Sequence, residues 1–149
     1  MQELTDNISY NLEYMSKALR MAAKDNGNCL SSGHLNYEIT ISGNGIKFND
    51  YNQDCKEFYL NNDNGKLYEV MYVSGLPGDP AALTPDSIIV TSFNVKGMGL
   101  EEPAVGANRI QPRVTIFLEA KGEVVSDPDL EPIIKTQTTI SQRNLNFNF

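Results

Sequence analysis

The sequence predicts an α+β fold in which an N-terminal amphipathic helix packs on an antiparallel β-sheet. Apolar residues recur at helical spacing over the first 24 residues, and from residue 36 onward their period changes from 3.6 to 2. The chain has 149 residues, of which 40% are hydrophobic. A protein of this size buries roughly 70% of the surface that its unfolded chain exposes, which is enough for a substantial core. We therefore expect one domain over residues 1–149, with a helix over 1–25 and a sheet with loops over 36–149.

The predicted helix has one apolar stripe. Successive members of the stripe are three or four residues apart, as one face of a 3.6-residue period requires. They are Leu4, Ile8, Leu12, Met15 and Leu19. Acidic residues precede basic ones along the segment, which suits the helix dipole. Gly27 follows in "KDNGN" and can adopt the left-handed turn that ends many helices.

The start of this helix lacks a cap. The stripe is already in phase at Leu4, and no capping box precedes it. The pattern therefore predicts the second half of a longer helix.

The rest of the chain reads as short strands joined by turns. "LNYEITISG" and "GIKFNDY" alternate apolar and polar residues, and "CKEFYLNNDNGKLYEVMYV" places Asn64-Gly65 between two such runs, which is a strong hairpin signal. Three prolines and two glycines predict a loop over 75–87. Later strands are predicted in "SIIVTSFNVKG", in "QPRVTIFLEA", which begins at Pro112, and in "KTQTTISQRNL", which spans 135–145.

The two cysteines, Cys29 and Cys55, have no CxxC spacing. An even number of cysteines without that spacing favours one disulfide over a metal site. The alternative is two buried free thiols. We predict the Cys29–Cys55 disulfide, which ties the end of the helix to the start of the hairpin.

Charge and hydropathy disfavour two classes of partner. The net charge is −7 and the 12 Lys and Arg residues are scattered, so the sequence offers no basic stripe for nucleic acid. It contains no run of about 20 apolar residues that could cross a bilayer. We expect no nucleic-acid partner and no membrane contact by this part of the protein.

The sequence predicts no catalytic, cofactor-binding or metal site, and we expect that the protein is not an enzyme. His34 is the one histidine, and spacing ties no nucleophile to it. Asp50, Asn52 and Asp54 match the first ligands of a calcium loop, but Cys55 replaces the required glycine. GxGxxG, GxxxxGK[ST] and HExxH are absent. The many carboxylates leave a hydrolase open, which would need two acids at a suitable separation.

Several stretches resemble those of the type IV pilin and type II secretion pseudopilin family, most closely its minor subunits. "NISYNLEYMSKALRMA" is similar to the second half of the pilin helix, and "IKFNDYN" followed by "CKEFYLNNDNGKLY" resembles the first strands of minor pilin-like proteins. "LTPDSIIVTSFNVKG", "QPRVTIFLEA" and "IKTQTTISQRNL" resemble their later strands and ending. The family's basic leader and apolar run do not occur in this sequence, so the resemblance implies the soluble part of a prepilin-type protein.

This resemblance implies a structural role. Members of the family are anchored by the apolar half of the helix and then assemble into a filament of the cell envelope or cell surface. It implies other pilin or pseudopilin subunits as partners, membrane contact through the missing helical segment, no cofactor, and a soluble part that is mostly monomeric. The alternative function is an extracellular binding module for a glycan or surface ligand, with Tyr59, Tyr68 and Tyr72 lining the site.

Overall fold

The computed structural model describes residues 2–23, 25, 27–31, 36–98, 112–122 and 132–142. In these ranges one α-helix, α1 (Gln2–Arg20), precedes nine β-strands, and a 3-10 turn (Ile41–Gly43) separates the first two strands. The strands are β1 (Tyr37–Thr40), β2 (Gly45–Asn49), β3 (Cys55–Asn61), β4 (Lys66–Val73), β5 (Leu76–Pro77), β6 (Ala81–Ala82), β7 (Ile88–Met98), β8 (Arg113–Gly122) and β9 (Ile133–Ser141).

The strands form two antiparallel sheets. The first sheet has the order β1-β2-β3-β4-β5, and β6 also pairs with β4; the second sheet has the order β7-β8-β9. The predicted hairpin at Asn64-Gly65 is confirmed, because β3 and β4 pair from Cys55↔Tyr72 to Asn61↔Lys66. In the second sheet, the register of β7 against β8 shifts at Thr91, between Val90 and Ser92.

The predicted fold class is wrong. The described chain is mostly β, with two antiparallel sheets and one helix, and is not the pilin-like α+β arrangement of a helix packed on a sheet. The division occurs after β6, where β7 crosses the hairpin of the first sheet instead of extending that sheet. The Val90 amide donates to the Gly65 carbonyl at 2.8 Å, and a Cβ atom on Gly65 would lie 2.7 Å from Ile89 Cγ2. Gly65 therefore permits both the hairpin turn, with φ of 69°, and the close contact between the sheets.

One core joins the helix to both sheets. Residues of α1 pack with residues from β1 to β4 and from β7 to β9 in a single apolar cluster. Leu4, Ile8, Met15 and Leu19 of the predicted helix face are buried, whereas Leu12 is partly buried at its margin. Burial of this stripe stabilises the helix in place, since a helix of this length is marginal on its own in water.

The helix ends earlier than the predicted residue 25. After Arg20 the chain turns toward the first sheet, and the Ala23 amide donates to the Asn49 carbonyl at 2.8 Å instead of to a helical carbonyl. Gly27 does have a left-handed φ of 98°, but it lies beyond the helix in the following loop.

Other predicted elements are shorter than expected or only partly described. The predicted loop over 75–87 contains the two-residue strands β5 and β6. The last predicted strand corresponds to β9, and its residues 143–145 lie outside the described residues, as does His34.

Candidate interaction surfaces

The end of α1 is held by both sheets. The Tyr37 hydroxyl, from β1, donates to the Leu19 carbonyl at 2.5 Å, and Gln142 Nε2, which follows β9, donates to the Ala22 carbonyl at 2.9 Å. The Leu19 carbonyl also accepts the Ala22 amide at 3.2 Å, so the Tyr37 bond adds a second donor there. Ala22 lies two residues beyond the end of α1, and Gln142 gives its carbonyl a buried hydrogen-bond partner. Tyr37 and Gln142 are themselves fully buried. We call this pair of hydrogen bonds the clasp.

Burial also affects the ionisation of the clasp. It raises the pKa of Tyr37 far above the ordinary value of 10.0, because the phenolate would lose its hydration. The clasp hydroxyl therefore remains a donor throughout the neutral range.

A disulfide joins Cys29 to Cys55, with Cα atoms 5.3 Å apart. The loop before it is fixed by Asp25, a buried residue whose carboxylate accepts the Cys29 amide at 3.0 Å and the Leu30 amide at 3.1 Å. Leu30 and Tyr72 pack against the disulfide in a second, smaller apolar cluster. The link thus fastens the segment after the helix to the start of β3.

The Asp50 carboxylate has a structural role in the turn that follows β2. Its Oδ1 accepts the amides of Asn52 and Asp54, both at 2.9 Å, and its Oδ2 lies 3.3 Å from Lys56 Nζ. These are the residues that resemble the start of a calcium loop. Among the described residues, no three potential ligand side chains lie close enough together to hold a metal ion.

A network links this turn to the helix. Lys56 Nζ also lies 3.5 Å from the Glu69 carboxylate, which accepts the Tyr14 hydroxyl of α1 at 2.8 Å. The Tyr14 ring meets Phe58 edge to face at 6.0 Å. Burial, followed by the hydrogen bond to Glu69, raises the pKa of Tyr14 to about 12.

The three tyrosines of the alternative binding function come together on one face of the first sheet. Tyr59 and Tyr68 are register partners with stacked rings, 5.6 Å between centroids. The Tyr72 ring is covered by Lys47 Nζ at 4.0 Å from its centroid. All three are half-buried, so each side chain of this tyrosine face remains partly accessible to solvent.

The hydroxyls of the tyrosine face have partners in the protein. Tyr72 donates to the Glu57 carboxylate at 2.8 Å, and Asn64 Nδ2 donates to the Tyr68 oxygen at 2.7 Å. Glu57 is buried and also accepts the Thr40 hydroxyl at 2.5 Å. Burial and the bond to Glu57 raise the pKa of Tyr72 to about 12.

The second sheet has a polar outer face, which points away from the shared core. Strand alternation places on it Ser92, Asn94, Lys96, Arg113, Thr115, Phe117, Glu119, Lys121, Lys135, Gln137, Thr139 and Ser141, together with the apolar Ile133, which pairs with Lys121 and is 52% exposed. It has two open depressions, one of about 370 Å³ beside Phe117, Glu119 and Lys135, and one of about 310 Å³ beside Lys96 and Arg113. Lys135 Nζ lies 3.6 Å from Glu119 Oε2, and Lys96 Nζ lies 5.8 Å from the Phe117 ring centroid.

Sequence reasoning located the disulfide and the helix stripe but missed the clasp. Tyr37 was recognised as a strand residue, and Gln142 has a buried role that no local pattern signals. Their partners are 18 and 120 residues away in sequence, so the contacts depend on the packing of both sheets.

Within the described ranges, no helix combines the length and the apolar character that crossing a bilayer requires. No family model, no curated protein and no solved structure matches the chain. The pilin resemblance therefore remains a prediction from the sequence.

Proposed function

We propose that the chain is a structural subunit, of the minor pilin or pseudopilin kind, of a type IV pilus or type II secretion-like filament in the cell envelope. The observation that carries the proposal is the clasp. Through Tyr37 and Gln142, both sheets hydrogen-bond carbonyls at the end of α1 and just beyond it, those of Leu19 and Ala22. We call the part of the chain that forms the two sheets the head. Because the clasp joins the head to the end of the helix at buried positions, head and helix move as one body. A subunit whose position in a filament is set by its helix needs such a rigid connection.

The helix also has a face available for neighbours. Its apolar stripe is used by the core, whereas Tyr10 on another side of α1 is 69% exposed, and Glu13 and Lys17 are exposed beside it. In the family that the sequence resembles, helices contact one another inside the filament. An aromatic side chain among charged residues on an outer helix face is suited to such a contact.

The most buried acidic residues of the described ranges support a structural role for the protein. The Asp25 and Asp50 carboxylates bind backbone amides, and Glu57 accepts two side-chain hydroxyls. Each therefore holds a loop or a pair of strands in place. A structural protein needs such groups, whereas a hydrolase would need two of them directed at a substrate.

The proposal includes an apolar helical segment joined ahead of α1, other pilin or pseudopilin subunits as partners, and a location in the cell envelope or outside the cell. The chain without that segment should be mostly monomeric and catalytically silent. The physical reason is that about 20 apolar residues removed from water contribute far more than contacts between heads, at roughly 25 cal/mol per Å².

The test compares the chain alone with the chain fused to an apolar helical segment, in cells that make type IV pili or a type II secretion system. We expect the fused chain in filaments sheared from the cells, and the chain alone to sediment as a monomer. A Tyr37→Phe variant of the fused chain should incorporate less, because one clasp bond is lost. Tyr59→Phe, which removes a hydroxyl from the opposite face of the first sheet, is the matched control.

Two results would overturn the proposal. One is a fused chain that reaches the membrane but never appears in sheared filaments. The other is ordered filaments formed at micromolar concentration by the chain alone.

The alternative, an extracellular module for a glycan or surface ligand, is favoured by the grouping of Tyr59, Tyr68 and Tyr72 on one sheet face. The chain has no tryptophan and seven tyrosines, so ligand binding would be followed by the change in tyrosine fluorescence that is lost when a residue of this face is replaced. Saturable binding of an oligosaccharide that is lost in Tyr68→Ala but retained in Tyr10→Ala would support this function.

A further inference from the structure

Asn-Gly pairs open the chain to a spontaneous modification of its own backbone. The sequence contains three such pairs, and the structure describes two of them in full, Asn44-Gly45 and Asn64-Gly65; the third, at 26–27, lies partly outside the described residues. In such a pair the backbone nitrogen of the glycine can attack the side-chain amide carbon of the asparagine, because glycine has no Cβ atom to obstruct the approach. The two described pairs share this chemistry and differ in their surroundings.

The surroundings of Asn44-Gly45 oppose the reaction. The Asn44 amide donates to the Ile41 carbonyl at 3.0 Å, and the Asn44 carbonyl accepts the Leu60 amide at 2.9 Å. Gly45 is buried, and its strand, β2, is paired on both sides. A ring that includes the Gly45 nitrogen therefore cannot form until the paired strands open locally, which costs free energy in the folded state.

Asn64 has a more permissive position in the exposed turn between β3 and β4. Among the residues that the structure describes, neither its backbone amide nor its carbonyl has a hydrogen-bond partner. Its side-chain Oδ1 accepts the Lys66 amide at 3.0 Å, a bond that a turn asparagine often makes with the residue two positions on. That bond keeps the side chain folded over the Gly65 nitrogen.

Two hydrogen bonds slow the reaction at this turn. The Gly65 amide donates to the Asn61 carbonyl at 2.8 Å, so the proton of the attacking nitrogen is held. Asn64 Nδ2 donates to the Tyr68 oxygen at 2.7 Å, which fixes the plane of the side-chain amide. When the bond to Tyr68 breaks, the amide can rotate until its carbon faces the Gly65 nitrogen.

We propose that Asn64-Gly65 is a site of spontaneous deamidation in the folded protein and that the Tyr68 hydroxyl controls its rate. The Gly65 nitrogen bonds to Asn64 Cγ, the bond from Cγ to Nδ2 breaks, and Nδ2 leaves as ammonia with the proton of the Gly65 amide. Water then opens the cyclic succinimide at either of its carbonyls, which gives aspartate or isoaspartate. The reaction consumes water, releases ammonia and changes no oxidation state, and it does not depend on the filament function.

The products alter two surfaces that meet at the turn. Either product places a carboxylate beside Tyr68 on the tyrosine face, and isoaspartate also adds a backbone carbon next to Gly65. The Gly65 carbonyl accepts the Val90 amide at 2.8 Å, so the added carbon falls at the contact between the two sheets. Deamidated protein should therefore carry an additional negative charge and hold β7 less firmly.

The test follows both pairs in one sample by peptide mapping with mass spectrometry, during incubation at mildly alkaline pH. Each rate is divided by the rate of the same pair in denaturant after reduction of the disulfide. In the folded chain we expect this ratio to be at least about tenfold larger for Asn64 than for Asn44, since the latter requires opening of paired strands. Equal ratios, a larger ratio for Asn44, or no conversion at Asn64 in the folded chain would overturn the proposal.

Tyr68→Phe tests the hydroxyl itself. The variant keeps the ring that stacks on Tyr59 but removes the acceptor, so conversion at Asn64 should become about fivefold faster, the factor that corresponds to roughly 1 kcal/mol for one hydrogen bond. Tyr59→Phe, the matched control, removes the hydroxyl of the stacked neighbour and should leave this rate unchanged. Equal rates at Asn64 in the two variants, or a similar acceleration at Asn44 in Tyr68→Phe, would contradict the role of the Tyr68 hydroxyl.

Discussion

Asp50 illustrates how a single side chain fixes a loop in this protein. It is 5% exposed, and one carboxylate oxygen accepts two backbone amides of the turn that leads into β3. The short spacing of acids in "DYNQD" is also what a calcium loop begins with, so the same residues admit two interpretations until the hydrogen bonds are known. The bonds assign Asp50 to the turn.

Asp50→Ala should lower the free energy of unfolding by about 1–3 kcal/mol, because two backbone amides of the turn would lose their partly buried acceptor. Asp50→Asn keeps an acceptor oxygen and should cost less. Asp54→Ala removes the same charge from an exposed side chain and serves as the control. Urea denaturation measures all three, and equal midpoints for Asp50→Ala and the wild type would contradict the role of the carboxylate.

Three tyrosines should make stability fall at alkaline pH. The pKa values of Tyr14 and Tyr72 are raised from 10.0 to about 12, and that of Tyr37 is raised as well, by burial first in each case. Because the folded pKa exceeds the unfolded one, this contribution to stability is complete below pH 10 and is lost as the pH rises toward 12. The free energy of unfolding of Tyr14→Phe should fall less steeply than that of the wild type between pH 10 and pH 12, when unfolding is followed by circular dichroism. A slope equal to that of the wild type would show that Tyr14 is not protected in the fold.

At the scale of elements, α1 shows what an apolar stripe reveals and what it leaves open. The spacing identified all five face residues, but Leu19 is fully buried at the clasp, whereas Leu12 lies at the margin of the core. Periodicity gives the direction of a face. It does not give the width of the groove that receives it, which depends on two sheets formed by distant residues.

Leu19→Ala should therefore destabilise the protein by about 2–5 kcal/mol, as for other fully buried leucines, and Leu12→Ala by clearly less. The sequence alone predicts the same range for both. Thermal and urea unfolding of the two variants provide the comparison, and a loss at Leu12 equal to that at Leu19 would mean that the helix is rotated relative to the structure.

The strands show the same division between local and distant information. The turn at Asn64-Gly65 and the alternation in β3, β4 and β8 are local, and they were readable from the sequence. Which strands pair depends on contacts between distant residues, such as the bond from the Val90 amide to the Gly65 carbonyl, which holds β7 against the hairpin turn of the first sheet. A single sheet was therefore predicted where two occur. Likewise, the tyrosine face was suggested by composition, but its hydroxyl partners, Glu57 and Asn64, depend on register.

For the whole molecule, the disulfide limits how far the unfolded chain can expand. Cys29 and Cys55 are 26 residues apart, and closing a loop of that length stabilises a protein by about 3.5 kcal/mol in the chain-entropy model. Cys29→Ala/Cys55→Ala should lose stability of this order in denaturant. Reduction of the wild type should shift it to nearly the same midpoint. A double variant as stable as the oxidised wild type would contradict this prediction.

The disulfide also has a mechanical consequence for a head that is pulled through its helix. Tension applied to α1 reaches the sheets through the clasp, and once the clasp ruptures the chain beyond it begins to extend. While the bond between Cys29 and Cys55 is intact, the residues between them cannot be stretched. The unfolded chain is therefore shorter by 26 residues, or roughly 90 Å of contour length. In an optical trap, the oxidised protein should therefore extend to a shorter unfolded length than the reduced one. The disulfide thus limits the distance by which a subunit lengthens when force unfolds it.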